Sequence, residues 1–415
     1  MRIKNKKKVK KLHFSTLYII MWYIYTIITL VVFCLCVKAY VKVRDPFWYN
    51  QPVHHVYNIF SRFKNNTIIN LNPPETNQYV NIINVKTERI DGMAKDEIAR
   101  ACDFVATNFL REKDFIEYKP TESNIMGYLD SNNHPSYISV YKCPSMKYDE
   151  KTKKYSDVDE LYSVMTARPL KVTLTGIMPF PTYYVDHLCV LPEMRGKGIA
   201  AKSIQTFYYN VSRDYAKIRT YLFKREGKLT GIVPLTVFNI IGFDIISIPR
   251  IAFPHDAYKL IQITGENISI LVDFVNNKKS YFKCTILPDL SNLLNNIKLN
   301  NIAVYGIFLQ GDVIAVYIFR DSATFYGNKK ATELLCSAED CDTNIFVAGF
   351  TQALRLHCNE SGCDKIIMDA TGGNIIISNY CAKVNIIPFI ITNGAYYFYN
   401  YITQTIPPSK CFILA

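Results

Sequence analysis

The segment LPEMRGKGIAA, residues 191–201, crowds two basic residues, two glycines and two alanines into one short stretch. Arg195 opens the pattern Arg-x-x-Gly-x-Ala, with Gly198 and Ala200 in the glycine and small-residue positions. The residues before it, TYYVDHLCV, read as a strand, and those after it place Ile199, Ile204, Phe207 and Val211 at helical spacing. A helix that starts directly after a strand presents unpaired backbone N–H groups at the positive end of its dipole. The amides of Gly196 to Ile199 would point outward there, and a diphosphate fits such a site. The glycines keep Cβ atoms out of its way, while Arg195 and Lys197 add positive charge. A mere surface turn is the alternative; the strand and amphipathic helix on either side favour a phosphate-bearing cofactor.

The elements that must position this turn follow from pattern. YVNIINV (79–85) reads as a strand and residues 94–112 as a helix, with Ile98, Cys102, Val105 and Phe109 on one face. A short helix is expected around 125–129. SYISVYK and LYSVMTARPLKVTLTG read as two hairpin strands joined by a charged, solvated loop from Lys147 to Glu160. Further on, residues 301–321 form a hairpin turning at Gly311-Asp312. A helix with a glycine stop, a buried strand KIIMDA, a helix NIIISNYCAKV and a strand AYYFYNYI complete the pass. The second half thus repeats the first in outline, as two copies of one α/β fold would.

The 415 residues are 49% hydrophobic and 20% charged, the balance of a packed globular protein. The net charge of +13 is concentrated: Arg2, Lys4, Lys6, Lys7, Lys8, Lys10 and Lys11 supply seven of it. That placement argues against a nucleic-acid partner and for a membrane-topology determinant. Phe14 to Val37 carries no charge over 24 residues, enough to span a hydrocarbon core as a helix, and no cleavage-site pattern follows. An uncleaved single-pass anchor is expected. The excess of basic residues before it, against Lys38, Lys42 and Arg44 after it, favours a cytosolic N-terminus with the body opposite. The 12 cysteines contain no CxxC pair and no zinc-ligand spacing, so no metal is expected. His54 and His55 are expected to face solvent. DPFWYNQPV, residues 45–53, looks neither helical nor extended, yet holds Trp48, one of only two tryptophans.

The strand, turn and helix around Arg195 resemble the coenzyme A pyrophosphate site of GNAT-superfamily acetyltransferases. The resemblance narrows to the N-myristoyltransferases. FWYNQPV is similar to that family's Phe-Trp-x-Thr-Gln-Pro-Val segment, and TARPLKVTL to its Ala-x-Pro strand. VDHLCVLPEMRGKGIAA is similar to its Asn-Phe-Leu-Cys-Val strand and the Leu-Arg-Ser-Lys-Arg-x-Ala-Pro turn. NGAYYFYNYI resembles its Asp-Gly-Asn-Leu-Gln-Tyr-Tyr-Leu-Tyr-Asn stretch, and KCFILA its apolar C-terminus. The similarity runs in order from residue 46 to 415.

The resemblance implies an α/β fold of two tandem GNAT-like domains, with mixed sheets flanked by helices, behind one transmembrane helix. The implied division is a basic tail (1–12), an anchor (13–38), a cofactor-contacting segment (39–92), an acyl-CoA-binding domain (93–245) and a peptide-binding domain (246–415). The co-substrate would be myristoyl-CoA, held by Phe47, Trp48, Leu188, Cys189, Val190, Arg195, Gly196, Lys197, Gly198, Ile199 and Ala200. Backbone N–H groups of His187 and Leu188 would form the oxyanion hole, and the terminal carboxylate of Ala415 would accept the amine proton. Asn393 and Gly394 would touch the substrate, a protein or peptide with an N-terminal glycine. The enzyme would act as a monomer. Its chemistry is cytosolic, which outranks the contrary charge bias and sets the body in the cytosol. Asp186 departs from the family's Asn, and the peptide-groove segments have no clear counterparts. An acetyl-CoA-dependent N-acyltransferase and an inactive acyl-CoA-binding membrane protein are the competing readings.

Overall fold

The computed structural model describes residues 2–58, 61, 63–110, 116–149 and 154–415. Its first element is a single helix, α1 (Arg2–Arg44), so the basic tail and the apolar run form one rod. The stretch Tyr18–Arg44 is long and apolar enough to cross a membrane, and none of it is buried against the body. At about 1.5 Å per residue it measures about 40 Å. A one-turn helix, α2 (Pro46–Tyr49), follows with Pro46 in its first turn, so the segment that looked irregular is helical for four residues.

Most of the remaining elements build one sheet. In chain order they are β1 (Thr67–Ile68), β2 (Val85–Arg89), α3 (Lys95–Asn108), β3 (Ile116–Tyr118), α4 (Glu122–Leu129), β4 (Tyr137–Asp149), β5 (Lys154–Leu174), β6 (Phe180–Val190), α5 (Ile199–Asp214), β7 (Tyr221–Glu226) and β8 (Thr236–Asp244). Then come β9 (Tyr258–Ile263), α6 (Ile268–Asn277), β10 (Cys284–Leu287), α7 (Leu290–Lys298), β11 (Ile302–Leu309), β12 (Asp312–Tyr326), β13 (Lys329–Glu339), α8 (Thr343–Ser361), β14 (Lys365–Asp369), α9 (Asn374–Lys383), β15 (Ile390–Tyr399), β16 (Tyr401–Ile402) and β17 (Cys411–Ile413).

The sheet runs in the order β17-β10-β5-β6-β7-β15-β8-β14-β13-β12-β11-β9, with β4 and β2 branching beside β5. It is mixed: β6 with β7, β13 with β14 and β10 with β17 are parallel, and the other pairs are antiparallel. Each of the first two parallel pairs is bridged by a helix, α5 or α8, the crossover that a parallel connection requires. These two units are the repeated α/β halves expected from the sequence. The halves share strands, because β15 from the second lies between β7 and β8 of the first.

Several sequence expectations need correction. The 79–85 segment is irregular until Val85, and its Ile82 and Ile83 are 63% and 91% exposed, so of its isoleucines none reaches the core while Val85, the first strand residue, does. The charged loop from Lys147 is largely strand: β4 and β5 stay in register out to Asp149 opposite Lys154, and 150–153 lie outside the described residues. His54 is buried rather than solvent-facing, because its carbonyl accepts a hydrogen bond from Val233 N–H at 2.7 Å while His55 bridges to Ile232.

The other elements form as their patterns require. Gly362 stops α8 in the left-handed conformation (φ 68°), which only glycine adopts freely. The first turn of α4 is capped by Thr121 and Asn124, each side chain bonded to the other's backbone N–H. Polar side chains lock the halves together: buried Asn292 of α7 donates to the carbonyls of Gly127, Tyr128 and Asp130 on α4 at 2.6–3.1 Å.

Candidate active site

The site is built on β6. Thr166 of β5 pairs with Asp186, and Val164 pairs with Cys189, so His187 and Leu188 together face the single residue Met165. Such a bulge frees backbone groups from the ladder and bends the strand. His187 takes φ 50°, a left-handed conformation uncommon for a residue with a side chain and concentrated at functional positions. On its other side β6 pairs with β7 only at Tyr183–Tyr221 and Tyr184–Leu222. From Phe223 onward β7 continues beside β15 alone, so β6 and β7 part at the level of the bulge.

Three cavities meet at this opening. The first, of about 830 Å³, is lined by residues 44–48, Tyr79, 108–110, 188–190, 194–196, 198–201 and Ile204. It gathers ten of the eleven residues expected to hold the cofactor: Phe47, Trp48, Leu188, Cys189, Val190, Arg195, Gly196, Gly198, Ile199 and Ala200. Lys197 is the exception; it is exposed, with its ammonium 3.5 Å from Met194 Sδ. Gly198 is the N-cap of α5 at φ 76°, Gly196 has φ 74°, and no side chain caps the helix. A Cβ at either glycine would meet nothing within 4 Å. Backbone conformation therefore demands glycine here, and the space above both is open to an incoming group. The Cys189 thiol is buried and its pKa is pushed up to about 12, which leaves it inert rather than nucleophilic.

The second cavity, about 330 Å³, is apolar and lies in the gap between β6 and β7. Trp48, Phe109, Met165, Val185, Leu188, Ile204, Phe207, Tyr208, Phe223 and Tyr399 form most of its wall. Trp48 stacks on Phe223 (5.9 Å, 23°), which stacks on Tyr397 (5.4 Å, 19°), while Phe47 meets Trp48 and Tyr79 edge-on. Gln51 fixes this segment by accepting a 2.6 Å hydrogen bond from the Tyr399 hydroxyl.

The third cavity, about 460 Å³, is polar and shares Asp186, His187 and Lys224 with the second. Asp186 Oδ1 accepts the backbone N–H of His187 at 2.8 Å. Burial disfavours its charge, but His187, Arg168, the accepted N–H and Arg320 outweigh that and hold its carboxyl below the usual range. The His187 ring is engaged at both nitrogens, with Thr166 Oγ1 at 2.9 Å and the Tyr118 hydroxyl at 3.4 Å, and burial lowers its pKa. The ring is thus held in place from both sides.

Sequence reasoning did not find the cations of this cavity. Arg320 pairs with Glu333 (2.5 Å) and also donates to the main-chain oxygen of Ala415 at 3.1 Å. Ala415 is buried beyond β17 and does not itself line the cavity. Lys224 pairs with Asp369 at 2.9 Å, and Arg168 stacks on Tyr128 and Tyr184. Their strands carry no clear signal, since Lys224 is followed by Arg225 and Glu226, Arg320 by Asp321, and β5 carries other charges besides Arg168. Asn393 and Gly394 line none of the three cavities; a Cβ on Gly394 would lie 2.6 Å from Phe238, a packing constraint. Ile390 and Thr392 of the same strand do reach the polar cavity.

No family model matches the sequence, and no curated protein matches it. Solved structures do. A crystal structure of Saccharomyces cerevisiae N-myristoyltransferase with bound myristoyl-CoA is similar with a TM-score of 0.65 and 14% identity, over 88% of this chain and 94% of that one. Another of the yeast enzyme with myristoyl-CoA gives 0.66 and 13%, over 90% and 95%. A third, with myristoyl-CoA and inhibitors, gives 0.66 and 14%, over 90% and 94%. The chain therefore has the N-myristoyltransferase-like GNAT fold that its motifs suggested.

Proposed function

We propose that this protein is a membrane-anchored acyltransferase that moves a myristoyl group from myristoyl-CoA to the N-terminal glycine amine of a protein. The carrying observation is the meeting of three unlike cavities at the β6 bulge: one with an open helix N-terminus, one apolar, one charged. In this reading the diphosphate sits on the amides of residues 196–200, the acyl chain enters the aromatic cavity between β6 and β7, and the peptide approaches through the charged cavity. The thioester then lies at Leu188.

The amine nitrogen attacks the thioester carbonyl, the carbon–sulfur bond breaks, and the sulfur leaves as coenzyme A. Leu188 N–H is the first proposed donor to the oxyanion. The His187 N–H is bonded to Asp186 Oδ1, so it joins the hole when that carboxylate turns toward the incoming ammonium. Two acceptors are proposed for the amine proton: Asp186 at the bulge, and the Ala415 carboxylate that the resemblance nominates, held by Arg320. The apolar span Tyr18–Arg44 would anchor the enzyme, and Arg44 and Asp45 at its end already line the first cavity.

The test uses the full chain in nanodiscs with labelled myristoyl-CoA or acetyl-CoA and peptides that begin with glycine or N-acetylglycine. Label should pass from myristoyl-CoA to the free-amine peptides only. Transfer from acetyl-CoA alone would replace this reading with that of an acetyltransferase. Myristoyl-CoA binding without transfer would replace it with that of a binding protein.

A further inference from the structure

Arg168 of β5 lines the charged cavity and is only 5% exposed. Its guanidinium carbon lies 4.5 Å from the ring centre of Tyr128 and 5.2 Å from that of Tyr184. No carboxylate among the described residues pairs with it, and its buried Nε has no hydrogen-bond partner. The other cations of this wall are matched, Arg320 by Glu333 and Lys224 by Asp369. The Tyr128 hydroxyl, on the same cavity, is likewise buried without a partner. Asp186 acts on the Arg168 charge through space without forming an ion pair, so the cost that remains is that of buried donors with no acceptor. Two such groups side by side on a cavity wall describe the shape of a missing anion.

The register fixes where that anion would sit. Arg168 pairs with Tyr184 and Thr166 with Asp186, so Arg168 and Asp186 are diagonal neighbours on one face of the sheet. Such positions are about 7–8 Å apart. An extended peptide covers that distance in about two residues.

We propose that Arg168 and the Tyr128 hydroxyl form a carboxylate subsite for the acceptor substrate, binding an acidic group about two residues behind the amine that is acylated. This rests on the acyl-transfer reading, which sets the amine at the bulge. The carboxylate has two sources, an acidic side chain near the peptide N-terminus or the α-carboxylate of a very short peptide.

The experiment again uses the full chain in nanodiscs with myristoyl-CoA. Peptides with Asp or Glu at the second or third position are compared with their Asn or Gln counterparts, and triglycine with triglycinamide. KM is measured for wild type, R168K and R168M, alongside equilibrium binding of fluorescent versions of the same peptides. The acidic peptides, or triglycine over its amide, should be favoured by about tenfold or more in wild type. The ratio should shrink in R168K and vanish in R168M. Whichever pair shows the ratio identifies the carboxylate source. Equal KM and affinity for acidic and amide peptides in wild type, or a preference that survives in R168M, would overturn the subsite. Absence of turnover with every peptide would instead refute the acyl-transfer reading, and the binding ratios would still decide the subsite.

Discussion

Gly198 offers a way to separate what the backbone needs from what a ligand needs. Its φ of 76° is left-handed, and a Cβ placed on it would touch nothing within 4 Å. Replacement by alanine or valine therefore carries only the conformational cost, about 1–2 kcal/mol. Asparagine tolerates this conformation, so Gly198→Asn should cost only a few tenths of that. The binding cost has a different origin. Any side chain here occupies the space in front of the first turn of α5 and keeps a diphosphate from its amides. Losing one charge-assisted hydrogen bond is worth about 1.5–3 kcal/mol, or roughly 10- to 100-fold in affinity. Scanning fluorimetry should show Tm lowered by a few degrees for the alanine and valine variants and nearly unchanged for asparagine. Titration calorimetry with coenzyme A should show all three weakened by at least about tenfold. An asparagine variant that binds coenzyme A as tightly as wild type would refute the cradle at this helix terminus.

Trp48→Ala removes the ring that stacks on Phe223 and walls both the first and second cavities, and should weaken acyl-CoA more than coenzyme A, read by competition binding. Asn292→Ala removes one donor from the carbonyls of Gly127, Tyr128 and Asp130, which keep bonds from Asn295, Asn296 and Asn132, and should lower stability by about 1 kcal/mol in chemical denaturation. His357 is buried against Phe319, bonded to Thr332 Oγ1 at 2.9 Å, and has its pKa lowered by burial to about 4. Unfolded, it binds a proton below about 6.5, whereas the folded ring stays neutral. It therefore withdraws up to about 1.4 kcal/mol of stability for each pH step as pH falls from 6.5 toward 4. His357→Gln should flatten that limb of the denaturation profile, and an unchanged slope would contradict it.

The turn at Arg195 was legible because its chemistry is local: the glycines, the helix start and the small residues lie within a few positions of one another. The helices α3, α8 and α9 were legible through their spacing. The bulge was not, since it arises from a mismatch between β5 and β6 that neither strand carries alone. α7 escaped for a different reason. Its Asn292 and Asn296 are buried, so the face that packs against α4 is polar and interrupts the apolar pattern. Ile82 and Ile83 misled in the opposite direction, as apolar residues with nothing to pack against. The charged cavity draws Arg168, Lys224, Arg320 and Glu333 from four strands, and only the closed sheet brings them together.

The position of β15 has a consequence for biosynthesis. β7 and β8 leave the ribosome well over a hundred residues before the strand that lies between them, and until it arrives their facing edges have no neighbour. Such edges invite pairing with other nascent chains. The coding sequence thus imposes a waiting period on the amino-terminal half, and a message cut short before codon 390 would yield a product that is adhesive rather than merely inactive.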